Sequence, residues 1–403
     1  MAYRPDRRAI PIDEARAILA VHGEPVMRTE RVSVRSAAGR VLARQVIADR
    51  DVPPFARAAM DGFAVRAADT SGASREHAIR LRIVDTIFSG MAPTHTIEAG
   101  TCAAIATGAP IPAGADAIVM VESTRRDADF AVVFEEVKPR QHVGRAGSDL
   151  VAGEIALDLE TVLNPARLGV ASALGVTELE VFARPRVAIL STGDEIVAPG
   201  ERPGPSQIFD ANTTALEAAV IAHGGEAIVA PRTRDDRSEL ARAFDVCLRE
   251  DLVLFSGGSS VGERDYALEV LGERGRIHFE GLQLKPGKPT IFADANGVPV
   301  FGLPGNPVSC LTNVYLFVAP MLRRMAHLPP PIERVVTACL TEGVTSPAGR
   351  HQVYPVRVEG ENAIPVFKTS GEITSLARAD GFFEITADVE AVPAGAIVNV
   401  VLF

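Results

Sequence analysis

Four short apolar runs, separated by stretches of helical character, constrain this chain more than any other feature. Arg186-Val-Ala-Ile-Leu190, Glu226-Ala-Ile-Val-Ala230, Leu252-Val-Leu-Phe255 and Val298-Pro-Val-Phe-Gly-Leu303 read as buried strands. Between them, 213–223 and 238–249 carry helical periodicity. Strands that alternate with helices predict a parallel sheet, and loops that follow such strands then gather along one edge. Here those loops are polar: Ser191-Thr-Gly-Asp-Glu195, Thr233-Arg-Asp-Asp236, a loop beginning at Ser256 and Pro304-Gly-Asn-Pro307. In open α/β sheets that edge is where ligands bind.

The loop 255–266 runs Phe-Ser-Gly-Gly-Ser-Ser-Val-Gly-Glu-Arg-Asp-Tyr. Glycines let the backbone N–H groups of Gly257, Gly258, Ser259 and Ser260 turn toward an anion, and the next helix adds its positive end. Asp265 at its rim offers a carboxylate for a metal ion or a proton; the plain alternative is a tight strand-to-helix turn. Between the third and fourth runs lies Leu284-Lys-Pro-Gly-Lys-Pro-Thr290. It fails the pattern of a phosphate-binding P-loop, because Pro289 stands where a metal-binding Ser or Thr is needed. Its prolines stiffen a loop in which Lys285 and Lys288 can meet an anion, or simply point into water.

At 403 residues the chain is long enough for two to four domains, and 47% hydrophobic with 23% charged residues excludes global disorder. A net charge of −10 argues against general nucleic-acid or membrane-surface binding. No apolar stretch has signal-peptide or membrane-span character, so a cytoplasmic location is expected. Cys102, Cys247, Cys310 and Cys339 are far apart and read as reduced thiols, and the histidines show no zinc-ligand spacing.

Punctuation divides the rest. Residues 10–20 read as an amphipathic helix. From about 51 to 148 short β-like pieces lie between Gly/Pro turns, and 161–182 return to a helical pattern. Beyond Leu328-Pro-Pro-Pro331 the tail alternates as strands do. Within the β-rich part, Asp61-Gly62 predicts a tight turn; by itself this is an ordinary turn whose Asp bonds its own backbone.

Six segments occur in order: Pro53-Pro-Phe-x-x-x-Ala-Met-Asp-Gly-Phe-Ala-Val65, Thr107-Gly-Ala-Pro-Ile-Pro-x-Gly-Ala-Asp-Ala117, Ser191-Thr-Gly-Asp-Glu195, Ser256-Gly-Gly-x-Ser-Val-Gly-x-x-Asp-Tyr266, Lys285-Pro-Gly-Lys-Pro289 and Gly302-Leu-Pro-Gly-Asn-Pro-Val-Ser309. Together they resemble MoeA, the molybdopterin molybdenumtransferase family that includes the E domains of gephyrin and plant Cnx proteins. The resemblance runs from about residue 10 to the C-terminus. It implies a multidomain α/β plus β fold. A helical N-terminal domain (1–50 and 149–182) is interrupted by a β-rich module (51–148). A MogA-like three-layer α/β domain with a mostly parallel sheet (183–327) binds molybdopterin, and a C-terminal β-barrel domain follows (328–403).

The resemblance further implies insertion of molybdate into adenylylated molybdopterin, Mg2+-dependent release of AMP, and a homodimer with its site between subunits. A MogA-type adenylyltransferase and molybdoenzymes are the implied protein partners, with neither nucleic acid nor membrane. Carried across, the catalytic carboxylates are Asp61, Asp149, Glu195, Asp236 and Asp265, with Asp236 and Asp265 holding Mg2+ and Asp61 orienting a nucleophile. Substrate contacts fall on Thr107, Gly108, Ser191, Thr192, Gly193, Asp194, Gly257, Gly258, Ser259, Ser260, Lys285, Lys288, Pro304, Gly305, Asn306 and Pro307. Arg350 and Ser370 are the matches for molybdate contacts from the C-terminal domain.

Small departures stand at Ala59, Phe63 and Ser259, where Ser, Tyr and Val or Thr are usual. Phe63 lacks a hydroxyl, which excludes a polar role for that ring. A CinA-like nucleotide-processing enzyme shares the α/β domain and a Gly-Leu-Pro-Gly loop but lacks the Pro53 to Val65 segment. A non-catalytic molybdopterin-binding scaffold and a tungstate-specific homologue are the other readings. The intact carboxylates favour an enzyme over the first, and no residue separates the two oxyanions.

Overall fold

The computed structural model describes residues 9–234, 236–257 and 266–403. The chain divides into two compact units. One comprises the described residues up to Glu30 with Gly39–Val41 and Val181–Phe403, and the other comprises Arg31–Ala38 and Leu42–Glu180. Among the described residues no helix is long and apolar enough to cross a membrane.

The first unit contains strands β1 (Arg186–Ser191), β2 (Glu226–Val229), β3 (Leu252–Ser256), β4 (Gly275–Phe279), β5 (Leu284–Lys285), β6 (Ile291–Ala295) and β7 (Val298–Leu303). All but β5 form one sheet in the order β2-β1-β3-β7-β6-β4. The pairs β1/β2, β1/β3 and β3/β7 are parallel, while β6 and β4 run antiparallel at the far side. The four apolar runs are therefore parallel neighbours, and the loops that follow them leave from one edge.

These strands are apolar throughout because both faces are covered. Val187, Ile189, Leu252, Leu254, Phe301 and Leu303 join one core, and Ala188, Leu190, Val253, Phe255 and Val300 join another. That is period-two alternation between two buried faces. Helices α1 (Ile12–Ala20) and α2 (Asn212–Ala222) cover the first face through Ile12, Ala15, Leu19, Leu216 and Val220. Helices α3 (Arg237–Cys247) and α4 (Tyr266–Arg274) cover the second through Leu240, Phe244, Ala267, Val270 and Leu271. The result is three layers. Helix α1 packs its apolar stripe of Ile12, Ala15 and Leu19 into this core.

The same unit continues into β8 (Arg334–Leu340), β9 (His351–Glu359), β10 (Asn362–Pro365), β11 (Gly381–Ile385) and β12 (Ile397–Leu402). These pair around a closed ring, β9-β10-β8-β12-β11 and back to β9, so the expected C-terminal β-barrel is present. Leu340, Val356, Ala363, Phe383 and Val400 fill it. The short strand β5 lies outside the α/β sheet and pairs in parallel with the start of β9, Leu284 opposite His351 and Lys285 opposite Gln352.

The second unit is built on a six-stranded sheet in the order Ala117–Met120, Gly62–Val65, Thr101–Ile105, Ile79–Ile87, Phe130–Val133 and Thr124–Asp127. Phe63 and Val65 face one core and Ala64 the other. The helical pattern over 161–182 resolves into one helix, Pro165–Ala173, capped by the Asn164 side chain, which accepts from the Arg167 N–H. Gly175, with φ of +76°, ends it. Glu178–Phe182 is then a strand, because Leu179 and Val181 alternate with partly exposed acids. Residues 161–182 are thus less helical than the sequence pattern predicts.

Candidate active site

Short hydrogen bonds hold the loops at the parallel edge in the first unit. The Thr192 N–H donates to the Ser256 carbonyl at 3.0 Å, and the Thr233 N–H donates to the Ser191 carbonyl at 3.1 Å. Ser191, Thr192 and Ser256 are buried. Gly257 passes so close to this edge that a Cβ there would lie 2.1 Å from the Thr192 carbonyl oxygen, and its φ is +96°. Gly193, with φ of +134°, carries the Glu195 carboxylate folded over it, at 2.6 Å from where a Cβ would stand. Only glycine fits either place.

A cavity of about 720 Å³ opens above these loops. Ser191, Thr192, Glu195, Ser256 and Gly257 form one side of it, and Pro304, Gly305, Asn306 and Pro307 another. Lys285 and Lys288 line it from the loop after β5, and Arg350 and Ser370 from the barrel. The loop before the last helical stretch is tied from two sides. The Asn212 amide donates to the Gly305 carbonyl at 2.9 Å, and the Asn306 amide donates to the Ser370 hydroxyl at 2.9 Å. The lysine loop is braced from behind by buried Asn313, whose amide nitrogen would stand 2.4 Å from a Cβ on Gly287. Thr290 closes the loop by donating its hydroxyl to the Gly287 carbonyl at 2.7 Å.

Among the described residues the side chains of Lys285, Lys288 and Arg350 have no hydrogen-bond or ion-pair partner. Three cationic side chains around one cavity, without counter-ions among the described residues, are chemically able to receive an oxyanion. Carboxylates line the cavity as well. Glu195 was anticipated from the sequence, but Asp210 and Glu280 were not. The Asp210 carboxylate accepts from the Thr213 N–H at 2.9 Å and hydroxyl at 2.7 Å, fixing the start of α2. The pattern Asp210-Ala-Asn-Thr-Thr214 is a helix-start signal that could have located it. Ile208 and Phe209, both exposed, add an apolar flank suited to a flat ring.

Other expected residues stand elsewhere. Asp236 caps α3: one carboxylate oxygen accepts from the Ser238 and Glu239 N–H groups, both at 2.9 Å, and from the Ser238 hydroxyl at 2.6 Å. These bonds, the Ser238 hydroxyl first, hold its carboxyl below the usual range. Asp236 and Asp194 do not line the cavity. Gly258, Ser259, Ser260 and Asp265 lie outside the described residues. Among those described, no group of three or more His, Cys, Asp and Glu is placed to hold a metal ion.

Asp61, Thr107, Gly108 and Asp149 belong to the second unit. The Asp61 carboxylate accepts from the Thr107 N–H at 2.6 Å and hydroxyl at 2.8 Å, so two residues chosen separately from the sequence form one constellation. The bond from the Thr107 N–H, followed by that from its hydroxyl, lowers the Asp61 pKa and keeps the group ionised. Gly62 is required beside it, since a Cβ would meet the Val119 carbonyl oxygen at 2.0 Å. Gly108 takes φ of +83°. Asp149 is exposed, its N–H donating to the Val52 carbonyl at 3.0 Å. The thiols are free, and burial pushes Cys102 and Cys310 up to about 12, out of reach of nucleophilic chemistry.

Comparison with known proteins covers nearly the whole chain. Residues 10–175 match the family model for the MoeA N-terminal region (domain I and II), 188–324 that for a probable molybdopterin binding domain, and 337–403 that for the MoeA C-terminal region (domain IV). Molybdopterin molybdenumtransferase 2 of Mycobacterium tuberculosis is 36% identical over 374 residues, spanning 90% of this chain and 92% of that protein. The molybdopterin molybdenumtransferase of Haemophilus influenzae is 30% identical over 400 residues, spanning 97% and 98%. Among solved structures, a molybdopterin biosynthesis MoeA protein from Pyrococcus horikoshii superposes with a TM-score of 0.82 at 30% identity, over 98% of this chain and 100% of that one.

Proposed function

The chain belongs to the MoeA family, and on that premise we propose that it is a molybdopterin molybdenumtransferase acting in molybdenum cofactor biosynthesis. The observation that carries the proposal is the cavity lined by Lys285, Lys288 and Arg350, none with a protein partner among the described residues. In a chain of net charge −10, such a concentration of unpaired cations is aimed at an anion. Molybdate is a tetrahedral dianion, and the three cations with the Ser370 hydroxyl suit its oxygens.

The finer proposal is the transfer of molybdate to adenylylated molybdopterin with release of AMP. Hydroxyls of Ser191, Thr192 and Ser256 and the backbone at Gly257 hold the phosphate of that substrate, while Ile208 and Phe209 flank its ring. Water attacks the phosphorus of the pterin's own phosphate and AMP departs with the bridging oxygen, while the two dithiolene thiols give their protons to one molybdate oxygen, which leaves as water as the two Mo–S bonds form. Mg2+ enters the proposal as the phosphate's counter-ion, with no step assigned to it. A homodimer belongs to the same proposal, and sedimentation equilibrium reads it directly.

The test incubates the purified chain with adenylylated molybdopterin, Mg2+ and increasing molybdate, and measures AMP. Molybdate-dependent release, lost in Lys285→Ala and Arg350→Ala, is the expected result. Tight binding of the pterin without any AMP would leave a carrier or scaffold and overturn the transferase proposal.

A further inference from the structure

Gln352 stands beside Arg350 near the cavity, 1% exposed, and its buried Oε1 has no hydrogen-bond donor among the described residues. Burying an amide oxygen without a donor costs free energy that an apolar residue of the same shape would spare. The strand pairing shows which way the side chain faces. Gln352 is the register partner of Lys285 in the parallel β5/β9 pair, and register partners project to the same face of a sheet. Its neighbour His351 projects to the opposite face, where its ring bonds the Glu384 carboxylate at 2.6 Å. Arg350 and Gln352 thus flank a residue that turns away. Lys285 and Arg350 both line the cavity, and Lys285 has no partner among the described residues.

We propose that Gln352 is a positioning residue for oxyanion binding, its amide oxygen holding the Lys285 ammonium toward the cavity. This rests on the oxyanion reading of the cavity given above. A lysine ammonium has three donors and a flexible four-carbon stem; an oxyanion alone does not fix its direction. A neutral acceptor beside it fixes the direction and leaves the positive charge whole, whereas a carboxylate in that place would cancel it. Oε1 lacks a donor because its intended donor is a mobile ammonium, which settles between the amide and the bound oxyanion. The unspent acceptor is thus part of the binding apparatus.

The experiment is calorimetric titration of the intact chain with sodium molybdate, alongside thermal unfolding and steady-state kinetics. For Gln352→Met, which keeps the shape and removes the acceptor, we expect unfolding at the same or a higher temperature and molybdate affinity weaker by about tenfold. The KM for molybdate rises while kcat at saturation and the KM for the pterin substrate hold, a split that a purely structural role would not produce. Gln352→Glu, which pairs Lys285 and cancels one cation, weakens molybdate binding at least as much. Both variants binding molybdate like the parent would overturn the proposal and leave Gln352 as a core residue. Lys285→Ala and Arg350→Ala serve as controls: if they also bind normally, the cavity reading fails and the proposal falls with it.

Discussion

Replacing Gly257 with alanine tests how the parallel edge is built. The new Cβ would start 2.1 Å from the Thr192 carbonyl oxygen, a backbone atom that cannot swing aside. A normal carbon–oxygen contact is about 3.3 Å, so the Thr192 peptide must retreat by roughly 1 Å. Thr192 is 1% exposed and is held by its N–H to the Ser256 carbonyl; the next N–H, on Gly193, reaches the Thr233 carbonyl at 3.4 Å. Losing those two bonds costs about 0.5–1.5 kcal/mol each. Alanine at φ of +96° adds about 1–2 kcal/mol of backbone strain. The expected destabilisation is about 2–5 kcal/mol, read as a fall of roughly 5–15 °C in the melting temperature of a unit this size. Calorimetric unfolding is the assay. Gly305→Ala is the stability control, because a Cβ there meets nothing within 4 Å and should cost under about 0.5 kcal/mol. If Gly257→Ala melts within about 2 °C of the parent, the edge is more plastic than the bonds imply and the reasoning is wrong.

Two further predictions concern carboxylates. Asp236→Asn should keep both stability and the Mg2+ dependence of turnover, since asparagine caps a helix as well as aspartate, while Asp236→Ala should unfold earlier. A raised Mg2+ requirement in the asparagine variant would return Asp236 to the metal. Glu384, 31% exposed in its side chain, is held below the usual carboxylate range first by its hydrogen bond from His351. A lowered folded-state pKa gives stability that is complete above the ordinary value of 4.5 and lost as pH falls through the folded value. Urea unfolding of His351→Gln should therefore show a deficit of about 0.5–1.5 kcal/mol at pH 7 that closes as pH falls below the ordinary carboxylate range. A deficit unchanged across that range would sink the assignment.

How much was legible in the sequence depends on how local each feature is. The parallel sheet and its loops were readable because a strand buried on both faces leaves an unbroken apolar run. Ser191-Thr-Gly-Asp-Glu195 and Pro304-Gly-Asn-Pro307 then announced themselves as the polar ends of such runs. Asp61 and Thr107 each stand out in the sequence, but their bond does not, because it joins residues 46 apart beside the ends of two neighbouring strands. Arg350 and Ser370 rest on resemblance alone, since long-range contacts, the pairing of β5 with β9 and the Asn306 bond to Ser370, bring the barrel to the cavity. Asp210 was overlooked although it stands at a recognisable helix start. Strand 178–182 was taken for helix because its period-two alternation is short and directly follows a true helix. Asp236 shows the converse: the residue was found, and its observed bonds are those of a cap.

The pairing of Leu284–Lys285 with the start of the barrel also bears on the order of synthesis. Chains leave the ribosome N-terminal end first, and domains tend to fold as they appear. The sheet strands through Leu303 emerge together, but the partner of Lys285 is Gln352. The ring that holds Gln352 closes only when Ile397–Leu402 pairs with both Arg334–Leu340 and Gly381–Ile385. Until that last strand has been made, a nascent chain carries the polar loops of its sheet without the wall that completes them. The growing polypeptide therefore completes the lining of its cavity in one late step.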